Sequence, residues 1–261
     1  MLSINLKGKT ALVTGVSNGI GLGIAKMLAK AGCDISGCGL SAIDSEAAQT
    51  YITSIQAENR KALYTSLDIT SNKDREALVN KTITAFKKID ILISNAGANI
   101  FEGAEKCTDK KWQFNMELNL KSHWALSKLC KPYLESSNNG VILLMTSNHA
   151  YHTIPGCFPY NVTKTALKAL VQSLAIEWGP KIRTIGIAPG FIDTPGNQKW
   201  FDSFPDAKAE RHRTINMHPV KKIGTTEDVG MLCAFLASDM ASFISGTTYL
   251  IDGGRSALMQ D

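Results

Sequence analysis

The chain has 261 residues, 44% hydrophobic and 20% charged, a composition typical of a folded protein and unlike that of a disordered one. Its net charge of +5 comes from scattered basic residues, and no dense Lys/Arg run marks a nucleic-acid or lipid-headgroup surface. Because no segment has the apolar length of a membrane span or the pattern of a signal peptide, we expect a cytoplasmic protein with no membrane or nucleic-acid partner.

Short β-branched or apolar segments alternate with longer segments of helical periodicity, a pattern typical of βαβ units. Strands are predicted at residues 10–16, 33–38, 62–67, 89–94, 141–146, 182–188 and 247–251. Helices are predicted near residues 19–31, 42–58, 71–87, 109–134, 157–179 and 226–238. Right-handed crossovers then give an α/β fold over residues 1–261, a single-domain Rossmann-type doubly wound sheet of about seven parallel strands with helices on both faces.

The segment at about 190–224 has little sheet character and carries Trp200, Phe201 and Phe204 among polar residues. Long segments at strand ends in this architecture tend to be functional, so we predict a substrate flap over the crevice at the carboxyl ends of the strands. The alternative is a surface excursion with its own small core.

A glycine-rich turn, residues 14–21, follows the first strand and opens the first helix. Backbone N–H groups and a helix N-terminus there would face a bound pyrophosphate, and glycine lets the backbone approach it closely. The spacing G-x-x-x-G-x-G differs from the fingerprint G-x-G-x-x-G, and the alternative is a tight turn with no ligand.

The end of the second strand, residues 36–41, offers neither an acidic residue for the adenosine ribose nor a basic one for the 2′-phosphate of NADP. Asn18 adds no positive charge from the glycine turn. With no cation to neutralise a 2′-phosphate, the sequence favours NAD over NADP as the cofactor.

Several ordered motifs together resemble the short-chain dehydrogenase/reductase family from about Leu6 to Gly254. Each motif lies at or near the end of a predicted strand or in the helix that follows. They are Gly15, Gly19 and Gly21; Asp68; Asn95-Ala96-Gly97; Asn119; Ser147; Tyr160-x-x-x-Lys164; Pro189-Gly190 with Thr194; and Asp252-Gly253-Gly254.

The resemblance implies a role for each matched residue. Asn119, Ser147, Tyr160 and Lys164 would be catalytic, with Asn119 holding a water that connects Lys164 to solvent. Asp68 and Ile69 would flank the adenine, and Ile192 and Thr194 would contact the carboxamide. The implied cofactor-binding set is Gly15, Ser17, Asn18, Gly19, Ile20, Gly21, Asp68, Ile69, Asn95, Ala96, Gly97, Tyr160, Lys164, Pro189, Gly190, Ile192 and Thr194.

The spacing of Tyr160 and Lys164 also has a chemical meaning of its own. Four residues apart on a helix, they share a face, and an ammonium beside a phenol is expected to lower the pKa of the phenol. Ser147 could hydrogen-bond the same substrate oxygen. Taken one at a time, Ser147 could instead be a turn residue, Asn119 an ordinary polar helix residue, and Tyr160 a residue packed behind Pro159.

The expected reaction is NAD(P)-dependent hydride transfer between a small secondary alcohol and its ketone. A sugar, polyol or hydroxy acid is favoured by polar candidates for recognition, Asn99, Asn148, His149, His152, Asn197, Gln198, Lys199, Arg211 and Arg213. The substrate-binding set is Ser147, His149, Cys157, Tyr160 and Trp200.

His149 and the acid-free second strand resemble 3-hydroxybutyrate dehydrogenases, which have a lysine where this chain has Cys157. An apolar pocket lined by Trp200, Phe201 and Phe204 would instead suit a steroid or acyl substrate. Two other functions stay open, a 3-oxoacyl-[acyl-carrier-protein] reductase and a non-catalytic cofactor-binding protein.

The remaining features concern metals and assembly. Six cysteines without a C-x-x-C pair and five histidines without ligand spacing predict no metal site. The helix over residues 161–178 is apolar on more than one face. The resemblance implies that part of it packs against a second subunit, so a homotetramer is expected, and the alternative is a helix buried wholly within one chain.

Overall fold

A computed structural model describes residues 3–259 and contains a seven-stranded parallel sheet of order β3-β2-β1-β4-β5-β6-β7. The strands are β1 Thr10–Thr14, β2 Asp34–Gly39, β3 Ala62–Ser66, β4 Ile91–Ser94, β5 Gly140–Met145, β6 Ile182–Pro189 and β7 Thr248–Ile251. Each lies within about two residues of its predicted position. The order reverses at β1, where β4 pairs on the side opposite β2, as in a doubly wound sheet. The predicted fold class is confirmed.

Nine α-helices lie among the described residues. They are α1 Gly19–Lys30, α2 Glu46–Gln56, α3 Asn72–Phe86, α4 Asp109–Met116, α5 Ser122–Glu135, α6 Tyr160–Trp178, α7 Pro195–Asp202, α8 Ala207–Asn216 and α9 Thr226–Ala237. None of the helices within residues 3–259 has the length and apolar character needed to span a bilayer.

The core lies on both faces of the sheet because successive side chains of a strand point to opposite faces. In β5, Val141 and Leu143 join a cluster with α1, α2 and α9, whereas Ile142 and Leu144 join a cluster with α3, α5 and α6. Every residue of β5 is buried, which explains its continuous apolar sequence.

The predicted helix over residues 109–134 is interrupted. A π-helical turn, Glu117–Lys121, separates α4 from α5 and contains the buried Asn119. Single π-helical turns within α-helices occur often at functional sites. The helices predicted at 42–58 and 157–179 are shorter than expected, because α2 begins after its N-cap Ser45 and α6 begins only at Tyr160.

The segment 190–224 contains two helices, α7 and α8, that the apolar periodicity did not predict. Both begin at a polar N-cap, since Thr194 accepts a hydrogen bond from Asn197 N and Asp206 accepts one from Ala209 N. Main-chain hydrogen bonds from Asp193 N to Gly224 O (2.7 Å) and from Gly224 N to Phe191 O (3.0 Å) join the two ends of the segment.

Helices α1 and α9 cross closely because glycines face the opposite helix. A Cβ at Gly23 would overlap Thr226, and one at Gly230 would lie 2.7 Å from Met27 Cγ. The backbones could not approach so closely with larger residues at these two positions.

We expect Gly23→Ala to lower the free energy of unfolding by about 1–3 kcal/mol, because the added methyl group must force α1 and α9 apart. Gly196→Ala is the matched control. Its Cβ would meet nothing nearer than Thr194 Oγ1 at 3.9 Å, so its effect should stay within about 0.5 kcal/mol. Urea unfolding of the two variants measures both values, and equal values would show that the crossing is not tightly packed.

Candidate active site

The carboxyl ends of β1, β4, β5 and β6 bring most of the predicted site residues to one edge of the sheet. The glycine turn follows β1, Asn95 follows β4 and Gly190 follows β6. Ser147 lies two residues after the end of β5. Ligands of open parallel sheets bind at this edge, beside the point where the strand order reverses.

The glycine turn has a shape that glycine alone readily adopts. Gly15 (φ +74°) and Gly19 (φ +58°) are left-handed, and a Cβ at Gly21 would overlap the carbonyl oxygen of Gly15. Within residues 3–259, no side chain caps the N-terminus of α1 at Asn18, and the first turn of α1 contains no acidic residue. Uncapped N–H groups beside an open glycine backbone fit the pyrophosphate of a dinucleotide.

Asn95 is hydrogen-bonded to Thr14 at the start of the glycine turn. Its Nδ2 donates to the carbonyl oxygen of Thr14 at 2.9 Å, and the N–H groups of Asn95 and Ala96 both donate to Thr14 Oγ1 at 2.9 Å. The side chain predicted to bind the cofactor is therefore bonded to the turn itself, which fixes the end of β1 against the end of β4.

Tyr160 and Lys164 lie on the buried face of α6. The Lys164 ammonium nitrogen is 5.5 Å from the centre of the Tyr160 ring and donates to the carbonyl oxygen of Met145 at 2.9 Å. Thr146 Oγ1 donates in return to the carbonyl oxygen of Lys164 at 2.7 Å. Ser147, also buried, has an Oγ that accepts from the N–H of His149 at 3.2 Å.

Burial acts against both charges of this pair. It raises the pKa of Tyr160 to about 12, although the neighbouring Ser147 hydroxyl lowers it, and it reduces the pKa of Lys164 to about 7. The spacing of the two residues had predicted a lowered phenol pKa. The prediction is wrong for this structure, because desolvation of the phenolate outweighs any attraction to an ammonium that burial itself partly discharges.

Asn119 clamps the chain that follows β4. Its Nδ2 donates to the carbonyl oxygen of Ala98 (2.9 Å) and to Asn115 Oδ1 (2.9 Å), and its Oδ1 accepts from the N–H of Ala98 (3.1 Å). A Cβ at Gly97 would lie 2.7 Å from Asn119 Oδ1 and 3.5 Å from Lys164 Nζ, so these three residues are neighbours. The Asn119 side chain is thus already bonded to protein groups.

His123, one turn after Asn119, is a buried residue that the sequence did not mark as part of the site. Its Nδ1 lies 2.8 Å from Ser94 Oγ, whereas its buried Nε2 has no hydrogen-bond partner among the described residues. Burial, followed by the charge of Lys164, lowers the pKa of His123 to about 3. The imidazole is therefore neutral at physiological pH. The sequence signal that could have indicated His123 is its position four residues after Asn119, on the same side of the helix.

Aromatic rings flank Tyr160 on the open side of the site. Phe101 packs edge-on against Tyr160 with ring centres 5.3 Å apart, and His149 lies 6.0 Å from Tyr160 and 5.8 Å from Phe101. Cys157, also buried, lies three residues before Tyr160 in the loop that leads into α6. Sequence reasoning missed Phe101, which lies 59 residues before Tyr160 in the chain. The bridge between Phe101 and Pro159 and the hydrogen bond from Glu102 N to the carbonyl oxygen of Phe158 hold it beside the start of α6.

The segment 190–224 contacts the glycine turn through Thr194. A Cβ added at Gly19 would lie 3.5 Å from Thr194 Cγ2. Ile192, the other predicted carboxamide contact, is buried. Trp200 does not stand alone at the surface but packs with Phe191, Phe201 and Phe204 at ring-centre distances of 4.8–5.6 Å.

Several polar side chains predicted to recognise substrate are bonded within the protein. Asn197 Nδ2 donates to the carbonyl oxygen of Ile192 at 2.7 Å, and Gln198 and Arg211 both donate to Asp193. Arg213 pairs with Glu210. By contrast, Asn99, His152 and Lys199 are exposed. Because these hydrogen bonds and this ion pair occupy polar side chains, fewer polar groups of this segment are free to bind a substrate.

The side of the crevice near β2 and β3 contains Asp68 and Ile69. Asp68 is exposed, and its Oδ1 accepts hydrogen bonds from the N–H and hydroxyl of Thr70. Ile69 is buried, and its carbonyl oxygen accepts from the buried Arg75 at 2.6 Å. Arg75 thereby anchors this loop to the start of α3.

Comparisons with known proteins agree with the fold. The family model described as enoyl-(acyl carrier protein) reductase matches residues 15–256. The chain is 34% identical to dehydrogenase/reductase SDR family member 4 of Sus scrofa over 255 residues, which cover 97% of this chain and 88% of that protein.

Two solved structures show the same similarity. L-Sorbose reductase from Gluconobacter frateurii, complexed with NADPH and L-sorbose, superposes with a TM-score of 0.93 at 29% identity and covers 99% of this chain and 100% of its own. A 7α-hydroxysteroid dehydrogenase complexed with NADH and 7-oxo glycochenodeoxycholic acid gives 0.88 at 31% identity, with coverages of 97% and 96%.

A doubly wound parallel sheet with a glycine turn and a buried Tyr-x-x-x-Lys pair at its carboxyl edge defines a class of dinucleotide-dependent oxidoreductases. Together with the matches, these features show that the chain belongs to the short-chain dehydrogenase/reductase family, whose members use NAD(P) cofactors.

The low pKa of Lys164 predicts a pH-dependent cost to stability. The pKa falls from an ordinary 10.5 to about 7 in the folded protein, so between these values the unfolded state binds more protons and stability rises with pH. At pH 6 the folded protein therefore bears the full cost of a buried charge. We expect Lys164→Met to increase the free energy of unfolding there by about 1–4 kcal/mol, and the increase to shrink towards zero near pH 10.

Urea unfolding at pH 6, 8 and 10 measures this difference. Gln172→Met, at an exposed and uncharged position of the same helix, is the control, and its effect should not change with pH because no titrating group is removed. A Lys164→Met variant that is less stable than the unsubstituted protein at pH 6 would contradict the assigned burial cost.

Proposed function

We propose that the protein is an NAD(P)-dependent oxidoreductase that interconverts a small secondary alcohol and its ketone by hydride transfer. The observation that carries the proposal is the convergence of Ser147, Tyr160 and Lys164, all buried, at the sheet edge that also holds the uncapped N-terminus of α1. A proton-transfer group and a dinucleotide cradle are thus parts of one crevice.

The bound dinucleotide would supply or accept the hydride at the substrate carbon. The glycine turn and the first turn of α1 would hold its pyrophosphate, while Lys164, Ile192 and Thr194 would lie towards the nicotinamide end. In this arrangement Asn95 acts indirectly, because its side chain supports the glycine turn through Thr14.

Tyr160 would exchange the hydroxyl proton with the substrate oxygen, and Ser147 would hold the same oxygen in place. Burial disfavours the phenolate, so positive charge near the phenol is needed to bring the pKa of Tyr160 down from about 12. A protonated Lys164 supplies one such charge, and the 5.5 Å between its ammonium nitrogen and the phenol ring allows a direct electrostatic effect.

NAD is the proposed cofactor in preference to NADP, because residues 36–41 and the glycine turn contain no Lys or Arg to neutralise a 2′-phosphate. A shared family does not decide this choice, since one similar structure is complexed with NADH and another with NADPH.

The proposed substrate is a sugar, polyol or hydroxy acid. Asn148 and His149, both half-buried, follow Ser147 directly and offer hydrogen-bonding groups beside Tyr160. Phe101 and Trp200 offer aromatic faces, against which the C–H face of a sugar ring or of an alicyclic ring could pack. A bile-acid-type ring alcohol is the alternative that these aromatic faces favour.

The segment 190–224 is proposed to act as a flap of this single-domain enzyme. Its ends are joined by hydrogen bonds at Phe191, Asp193 and Gly224, and Thr194, near its first end, lies beside Gly19 of the glycine turn. Closure of such a segment would exclude water from the hydride-transfer site.

Activity screening with NAD and NADP tests the proposal, with sugars, polyols, hydroxy acids, steroids and a 3-oxoacyl thioester as substrates and reduced-nicotinamide absorbance as the readout. We expect the fastest turnover with a sugar or polyol and NAD. Preference for the thioester with NADPH would instead support a 3-oxoacyl-[acyl-carrier-protein] reductase.

With the best substrate, Tyr160→Phe should lower kcat by about 10²–10⁴-fold, because the proton donor and acceptor is lost. Binding of the reduced dinucleotide, followed by fluorescence, should persist and so separate a catalyst from a cofactor-binding protein. Tyr249→Phe, at a partly exposed tyrosine of β7, is the matched control and should keep full activity. Undiminished turnover by Tyr160→Phe would refute the assigned role.

We also propose a homotetramer. Beyond the buried Leu167, Val171 and Leu174, α6 has apolar side chains that remain partly or fully accessible, and Ile176 is 80% exposed. Phe243, near β7, is fully exposed. Contact with further copies of the chain would remove these surfaces from water. Light scattering should give the mass of four chains, and the mass of a single chain would exclude this assembly.

A further inference from the structure

The end of β2 is pressed against the glycine turn. The N–H groups of Gly15 and Val16 donate to the carbonyl oxygen of Cys38 at 2.8 and 3.0 Å. Ser17 therefore lies beside Gly39, and a Cβ at Gly39 would overlap Ser17 Oγ and lie 2.9 Å from the hydroxyl of Tyr64. No side chain larger than glycine fits at position 39 while these two hydroxyls keep their places.

Ser17 and Tyr64 form a hydroxyl pair. Their oxygens are 3.0 Å apart, and Tyr64 also donates to the carbonyl oxygen of Ser41 at 3.0 Å. Tyr64 reaches the pair from β3, with its ring buried at 3% exposure against Tyr51. The hydroxyls thus occupy the strand-end position where an acidic side chain commonly binds the adenosine ribose.

We propose that the Ser17–Tyr64 hydroxyl pair, together with Gly39, replaces that acidic residue, binds the adenosine ribose diol and selects NAD against NADP. The inference rests on the proposed function and names the residues that would determine its cofactor. Tyr64 donates its only hydroxyl proton to the carbonyl oxygen of Ser41, so Ser17 donates to Tyr64. The remaining lone pairs of the two oxygens can accept hydrogen bonds from a ribose diol, as a carboxylate would.

The same pair is a poor partner for a 2′-phosphate. A phosphate monoester carries close to two negative charges, and residues 14–21 and 36–45 contain no Lys or Arg but do contain Asp44. Leu40, the side chain that follows Gly39, is 79% exposed and apolar. A phosphate at this position would lose hydration without gaining a cation.

The test is equilibrium binding of NADH and NADPH, measured by the fluorescence of the reduced nicotinamide and by calorimetry, without substrate. We expect the unsubstituted protein to bind NADH at least about tenfold more tightly than NADPH. Tyr64→Phe and Ser17→Ala should each weaken NADH roughly three- to tenfold and leave NADPH within about twofold, since only the ribose diol uses the hydroxyls.

Leu40→Arg should act in the opposite direction and strengthen NADPH binding roughly tenfold, because a guanidinium can pair with the 2′-phosphate. Tyr51→Phe is the matched control. This tyrosine is a buried neighbour whose hydroxyl donates to the carbonyl oxygens of Ile35 and Leu63, so its loss should change the melting temperature but not the NADH/NADPH ratio.

Three results would overturn the inference. NADPH could bind as tightly as NADH to the unsubstituted protein, or Tyr64→Phe could weaken both dinucleotides equally, which would assign the pair to the fold alone. Failure of both dinucleotides to bind would also reject the proposed function, whereas the first two results would leave the oxidoreductase proposal standing.

Discussion

Two hydrogen bonds between α6 and the end of β5 determine where the reactive groups lie. Lys164 donates to the carbonyl oxygen of Met145, and Thr146 donates to the carbonyl oxygen of Lys164. Because both bonds join the same turn of helix to the same strand end, they fix the rotation of α6 about its axis. That rotation places Tyr160 beside Ser147, which follows Thr146 in the chain. The site therefore depends on a tether made by one of its own reactive residues.

This tether has an energetic cost. The ammonium of Lys164 is buried, with one carbonyl acceptor within residues 3–259 and with His123 nearby, and burial lowers the pKa values of both Lys164 and His123. Burial also raises the pKa of Tyr160. The crevice favours the neutral forms of Lys164, His123 and Tyr160, so by itself it stabilises a charged group poorly. Stabilising such a charge requires an opposite charge on the bound ligand. Perturbed pKa values of this kind are more common at functional sites than elsewhere.

The sequence predicted the parts of the molecule that depend on periodicity and on position along the chain. The seven strands followed from apolar runs, and the meeting of the glycine turn, Asn95, Ser147 and Gly190 followed from their places at parallel strand ends. Helices α7 and α8 could not be found in this way, because their sequences are mostly polar and show no regular apolar spacing. The pKa of Tyr160 was also missed, since spacing shows a neighbour but not the loss of water around it.

Contacts between distant segments explain the remaining surprises and also where specificity can change. Tyr64 reaches Ser17 across 47 residues, and Phe101 reaches Tyr160 from irregular chain. Neither contact is one of the main-chain hydrogen bonds that set the registers of the sheet. Two structures about 30% identical to this chain share its fold, and one is complexed with NADH and the other with NADPH. Cofactor and substrate choice are then local properties of the rim of the crevice, separate from the fold that creates it.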